Sequence, residues 1–189
     1  GLKKIIIIYN ILLLGCIFMK TLNKPFIFKK KIYFDKRGYF QEVFLEKEFK
    51  KKIKFTAIAY SKKNVIRGMH FQLKNKQTKI ISVLSGKILD VAVNLEKKSK
   101  NFGKVYYFIL NEGDAVYIPN YYAHGYECLS KNSTILYHLD NYRDVNNEHG
   151  IPYNDKALKI RWKTNKPILS KRDKNHQTFL DFKTKFIGL

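Results

Sequence analysis

From residue 26 onward the chain alternates between short apolar or alternating runs and turn residues. Runs of this length, rich in Ile, Val, Tyr and Phe, predict strands. They fall at residues 26–34, 39–44, 55–61, 65–71, 79–85, 87–94, 103–110, 115–118, 123–128 and 134–139. Lys36-Arg37-Gly38, Ser85-Gly86-Lys87, Asn111-Glu112-Gly113-Asp114 and Pro119-Asn120 supply turns between them. One short helix is expected over 45–51, where Glu46 and Glu48 precede Lys50 to Lys52 in the sense that suits a helix dipole. Past residue 145 the pattern loosens, leaving Trp162 as an anchor, Ser170-Lys171-Arg172-Asp173 as a polar loop or helix start, and Phe179, Leu180 and Phe182 free to dock. Neither a repeat nor a flexible linker interrupts the run, so residues 19–189 are expected to form a single all-β sandwich or barrel.

Residues 1–18 form a separate apolar extension. Lys3-Lys4 precedes a run from Ile5 to Phe18 broken only by Asn10 and Gly15, short for a membrane span but right for a signal-peptide core. Leu13-Leu14-Gly15-Cys16 approximates a lipoprotein box. The competing expectation makes Met19 the true start, and it is preferred because the downstream chemistry points to a cytoplasmic ligand. Cys16 and Cys128 have neither metal-ligand spacing nor a disulfide framework, which also fits a reducing compartment.

Charge changes the picture less than its size suggests. Lys and Arg number 37 against 15 Asp and Glu, a formal net charge of +22. A balance this basic raises nucleic acid or an anionic surface as partners. Yet only five of the cations are Arg, the residue suited to bidentate phosphate and base contacts, and the lysines scatter along the whole chain. No stripe of cations interleaved with aromatics marks a nucleic-acid track. An anionic small ligand fits equally well, with neither nucleic acid nor membrane as partner.

Four features carry candidate chemistry: His70 within Arg67-Gly68-Met69-His70-Phe71-Gln72, Lys79, the turn from Ile118 to Tyr126 that delivers His124, and Tyr137. Alternation along the last run places Tyr137 with Ile135 and Leu139 and turns His138 away. Taken singly, a strand histidine or tyrosine is a packed group bonded to backbone. Together they suit proton abstraction beside a carbonyl: a base removes the α-proton, donors hold the enolate, and an acid returns a proton. His70 and His124 alone make a poor divalent-metal site, so no metal is expected.

The order of motifs resembles the nucleotide-sugar 3,5-epimerases. The resemblance runs from about residue 26 to 175 through Asp35–Glu42, Asn64–Gln72, Gly86–Val93, the Ile118–Gly125 turn and Tyr153-Asn154-Asp155. It implies a cupin-like jelly roll with a few short peripheral helices, a homodimer sharing strands across its interface, a nucleotide-sugar substrate and no cofactor. By position, it implies His70 as base, Asp173 as its carboxylate partner and Tyr137 as acid, with Lys79 and His124 on the ketone oxygen. Arg37, Glu42, Arg67, Gln72, Arg143, Glu148 and Arg172 fall at substrate-binding positions, Arg172 replacing a commoner Lys.

Two departures bear on the nucleotide. The polar pair that contacts thymine in the family is replaced by Ala57-Ile58-Ala59, and the second Tyr of a Tyr-Tyr pair by Arg143 after Tyr142. Both losses lead to the expectation of GDP rather than dTDP, on a 4-keto-heptose of capsule synthesis. A catalytically lapsed sugar-nucleotide-binding cupin and a 3,4-ketoisomerase of the same fold are the alternatives.

Overall fold

The computed structural model describes residues 22–185. The expectations for residues 1–18 and for a start at Met19 lie outside them. In chain order the strands are β1 (Phe26–Lys29), β2 (Ile32–Asp35), β3 (Gly38–Gln41), β4 (Phe55–Lys62), β5 (Ile66–Gln72), β6 (Lys79–Ser85), β7 (Lys87–Asn94), β8 (Val105–Asn111), β9 (Asp114–Ile118), β10 (Tyr122–Cys128), β11 (Asn132–Leu139) and β12 (Glu148–Gly150). Among the described residues two short helices join them, α1 (Glu46–Phe49) and α2 (Phe179–Lys185). Five strands in the order β1-β9-β6-β11-β4 face five in the order β12-β5-β10-β7-β8, all antiparallel, and β2 and β3 make a separate hairpin. This is the expected jelly-roll architecture.

Each strand pattern follows from what covers it. β7 reads as a continuous apolar run because both its faces are buried. Ile88 and Ala92 enter the core between the sheets with Ile81, Val83, Val116 and Ile135, whereas Leu89, Val91 and Val93 pack outward. That outer face is covered by the C-terminal segment, through Ile151, Leu158, Phe179 and Phe182 against Met69 and Phe71. Each such side chain contributes roughly 1.5–3 kcal/mol of burial, enough to pin residues 151–185 on the sheet. α2 therefore forms where only dockable aromatics were expected, with Phe179 and Phe182 buried and Leu180 left exposed.

β4 behaves oppositely. It is an edge strand whose Ala57 and Ala59 turn inward, leaving Ile58 and Tyr60 on the outside. The expected strand over 26–34 breaks in two at Lys30-Lys31, where Lys30 pairs with Glu48 and its carbonyl accepts from Gln41. The helix is also shorter than expected. It lasts one turn because Lys50 adopts a left-handed conformation and returns its N–H to Glu46 O at 2.9 Å.

One irregularity matters to the site. Between Arg67 and His70, β5 has one residue more than β10 has between Tyr126 and His124, and the register shifts there. Gly68 (φ 128°) and Gly125 make the bulge possible. A Cβ on Gly68 would meet Gly125 Cα at 2.5 Å, and one on Gly125 would meet Arg67 O at 2.7 Å. The two glycines beside the candidate histidines are thus demands of close backbone approach.

Candidate active site

The two sheets leave one end of the interior unfilled, because β4 offers Ala57 and Ala59 where larger side chains would close it. The resulting cavity of about 370 Å³ takes Lys79, Tyr137, Phe55 and Leu139 from one sheet and Arg67, His70, His124 and Glu148 from the other. Arg143, Ser170, Arg172 and Asp173 come from the segments following β11 and β12.

His70 stands directly opposite His124 in the β5–β10 register. Its Nε2 lies 2.6 Å from Asp173 Oδ1, joining residues 103 apart in sequence. Burial alone would raise the Asp173 carboxyl, but bonds from His176, His70 and Ser170 outweigh it and hold the group far below the usual carboxylate range. Asp173 is thus an acceptor, so His70 Nε2 carries the proton and Nδ1 keeps the lone pair. Burial lowers the His70 pKa against the opposing pull of Asp173, which keeps the ring neutral near pH 7.

On the facing sheet, burial pushes the Tyr137 hydroxyl well above its ordinary value of 10, with Tyr126 and Asp90 adding to the effect. A phenol so placed stays protonated and can donate. Its ring meets His124 edge-on, with centroids 6.2 Å apart. Lys79 is buried at the start of β6, where its Nζ donates to His70 O at 3.2 Å. Burial lowers its pKa to about 8, partly offset by Glu148 and Asp90. The ammonium form therefore predominates at neutral pH, and its charge is weakly screened in this setting.

At the rim, Glu148 Oε2 accepts from Arg143 Nε and from Arg172 Nη1, each at 2.8 Å. Burial would raise the Glu148 carboxyl, but the two guanidinium groups bring it below its ordinary value. Arg67 donates to Ser61 Oγ at 3.0 Å and to Tyr60 O at 3.0 Å, which keeps its head group at the cavity edge.

Nine of the twelve sequence-derived residues therefore line one cavity: Arg67, His70, Lys79, His124, Tyr137, Arg143, Glu148, Arg172 and Asp173. Three do not. Arg37 sits in the exposed β2–β3 turn paired with Asp35, and Glu42 lines a separate pocket with Lys30 and Glu48. Gln72 is engaged within the protein: its Nε2 donates to Asn75 O and Tyr142 O, and its Oε1 accepts from Asp144 N. These bonds brace the chain leading into β12, and Gln72 is not among the residues lining the cavity.

Sequence reasoning missed two members. Asp90 Oδ2 lies 2.7 Å from His124 Nε2, both fully enclosed. The signal was available, since a carboxylate amid Ile88, Leu89, Val91, Ala92 and Val93 demands a partner. The other is His176, whose Nε2 lies 3.3 Å from Asp173 Oδ1; nothing in its polar sequence context marked it.

His70, Asp173 and His176 also fall within 4.8 Å of one another, a spacing compatible with a metal ion. Both imidazole nitrogens, however, are at hydrogen-bonding distance from the same carboxylate oxygen. A cation could keep that oxygen as a ligand but would need both Nε2 atoms as lone pairs, at the cost of the two N–H···O bonds, so the arrangement is better suited to hydrogen bonding than to ligation.

A neutral imidazole, a buried phenol and a buried ammonium converging on one space suit proton transfer next to a carbonyl. Comparisons with known proteins agree. The family model described as dTDP-4-dehydrorhamnose 3,5-epimerase matches residues 20–181. The dTDP-4-dehydrorhamnose 3,5-epimerase of Shigella flexneri is 36% identical over 164 residues, covering 82% of this chain and 91% of that protein. Among solved structures, the enzyme of that name from Elizabethkingia anophelis superposes with a TM-score of 0.78 at 34% identity, covering 85% of this chain and 94% of that one. The dTDP-6-deoxy-D-glucose-3,5-epimerase of Legionella pneumophila, solved with dTDP-4-keto-L-rhamnose, gives 0.75 at 33% identity, covering 79% and 84%. The chain belongs to the dTDP-4-dehydrorhamnose 3,5-epimerase family and is a nucleotide-sugar 3,5-epimerase, an isomerase.

Chemistry that needs neutral His70 and charged Lys79 has a bell-shaped pH profile. The acid limb should lie below the ordinary imidazole value of 6.5, where His70 takes a proton. The alkaline limb should lie near 8, where Lys79 loses one. Lys79→Arg, whose guanidinium stays charged, is expected to lower kcat/KM and remove the limb near 8. A limb unchanged in that variant would assign it to another group.

Proposed function

We propose that the enzyme inverts the carbons flanking the ketone of a dTDP-linked 4-keto-6-deoxy hexose. His70 and Tyr137 stand on facing sheets across one cavity, and this observation carries the reading. His70 Nδ1 takes the α-proton and the electron pair moves onto the ketone oxygen. The Lys79 ammonium stabilises the resulting enolate, joined by His124 through Nδ1 when that ring carries both protons, its Nε2 being paired with Asp90. Tyr137 returns a proton to the opposite face of the same carbon. Asp173 orients His70 and stabilises the imidazolium as it forms, and Arg67, Arg143, Arg172 and Glu148 grip the nucleotide diphosphate end. The domain spans residues 19–189, acts in the cytoplasm and needs no cofactor. Among the described residues no helix is long and apolar enough to cross a membrane.

The relatives named above are described as acting on, or solved with, dTDP sugars, and they support the thymidine nucleotide. The expectation of a GDP-4-keto-heptose finds no support among them. What remains of it is local: Ala57 and Ala59 line the cavity and offer no side-chain hydrogen bond to a base.

NMR of products formed in heavy water tests both points. Wild type is expected to incorporate deuterium at the inverted carbons of a dTDP-linked 4-keto-6-deoxy hexose. His70→Ala should lose exchange and inversion together, by at least the roughly 10²–10⁴-fold typical of one acid–base group. Tyr137→Phe should keep exchange while losing net inversion. Wild-type-like exchange in His70→Ala would refute the base assignment, and a product with its ketone moved to carbon 3 would make the protein a ketoisomerase. Calorimetry should show dTDP binding more tightly than GDP; the reverse order would restore the guanosine reading.

We also propose that two copies pair through the β2–β3 hairpin. Its exposed Phe34 (76%) and Phe40 (65%) and the outward Ile58 (66%) and Tyr60 (55%) of edge strand β4 are apolar surface of the kind a partner covers. Arg37 and Glu42 could then serve the other copy's cavity. Sedimentation should give a dimer for wild type and a monomer for the Phe34→Lys/Phe40→Lys double variant. A monomeric wild type would contradict this.

A further inference from the structure

We propose that His176 is a positioning residue for the base. Its Nε2–H shares Asp173 Oδ1 with His70 and so limits how strongly the carboxylate holds the His70 proton. This rests on His70 being the base, and it assigns work to a histidine that is not itself among the residues lining the cavity.

Three features carry the inference. The first is the shared acceptor: Asp173 Oδ1 lies 2.6 Å from His70 Nε2 and 3.3 Å from His176 Nε2, while Oδ2 accepts from Ser170 Oγ at 2.8 Å. Each additional donor withdraws electron density from the carboxylate and weakens its pull on the others. The second is enclosure. The His176 side chain is only 6% exposed, and its ring lies edge-on to His70 with centroids 5.5 Å apart. The third is the room made for it. Gly150 pairs directly with His70 across β12 and β5, and a Cβ there would meet the His176 ring at 2.4–2.5 Å. The strand beside the base thus lacks a side chain where this second imidazole sits.

The direction of the effect follows. The titratable and charged groups sharing the cavity with His70 are Arg67 on β5, Lys79 from β6, His124 from β10, Tyr137 from β11, Arg143 and Glu148 from the chain into and along β12, and Arg172 and Asp173 from the C-terminal segment. His176 lies edge-on to the ring, with His149 beside His176. Asp173 favours the protonated ring, whereas Lys79 and His176 disfavour it. Removing His176 deletes one opposing influence and gives Asp173 Oδ1 wholly to His70. Both changes make His70 easier to protonate, and the base is then lost at a higher pH.

Histidine-resolved NMR titration of the folded protein, alongside the pH profile of kcat/KM, tests this. His176→Ala is expected to raise the His70 midpoint and the acid limb of the profile by about half a unit or more, the size of one net hydrogen bond. His176→Gln, which keeps an N–H donor at that reach, should restore both toward wild type. In wild type, His176 should be the Nε2–H tautomer. Lower stability in His176→Ala with unmoved titration, equal shifts in Ala and Gln variants, or an Nδ1–H tautomer of His176 would each overturn the proposal. The NMR readings need no turnover, so they stand apart from the substrate assignment: failed epimerisation with a shifted His70 midpoint would implicate that reading instead.

Discussion

A carboxylate placed in a largely closed interior must be hydrogen-bonded or it loses its charge, and much of this molecule is arranged around one such group. Asp173 belongs to a segment far from His70 in sequence, brought back over the outer face of the β12-β5-β10-β7-β8 sheet. Phe179, Phe182 and Leu158 hold that segment by burial against Met69 and Phe71, and Ile168 bridges to Val65 at the start of β5. Met69 and Phe71 are the immediate neighbours of His70. Alternation sends them outward to grip the C-terminal segment, while His70 turns inward to the cavity. Packing on one face of β5 thereby fixes the carboxylate that orients the imidazole on the other.

The interior also keeps the proposed acid and base apart. Burial acts on all three titrating groups but with opposite consequences: it leaves the imidazole neutral, the phenol protonated and the ammonium easier to deprotonate. One low-dielectric space thus yields a lone pair on one sheet and a proton on the other. Two facing sheets suit an inversion because a ring bound between them exposes one side to each.

Much of this was legible in the chain, for particular reasons. Gly68, two residues before His70, and Gly125, next to His124, reflect the bulge that brings β5 and β10 close, and the largely apolar run of β7 reflects a strand covered on both faces. Alternation correctly separated Tyr137 from His138, which stacks on Phe44 across the other face. What escaped depends on long-range closure. β12 is three residues long and exists only as a partner for β5, and α2 only because two aromatics find the sheet. Asp90 announced that it needs a partner but not which one, and His176 meets Asp173 only through the closure of the C-terminal segment. The resemblance brought Arg37 and Glu42 into the candidate site, yet one chain leaves them on the hairpin side of the molecule.

A crystal structure with a dTDP-linked 4-keto sugar bound tests the central claim most directly. The account requires the sugar ring to lie between His70 and Tyr137, one against each face, with its ketone oxygen within hydrogen-bonding distance of Lys79 Nζ and His124. A sugar seated outside the cavity, or the imidazole and the phenol meeting the same face of the ring, would contradict it.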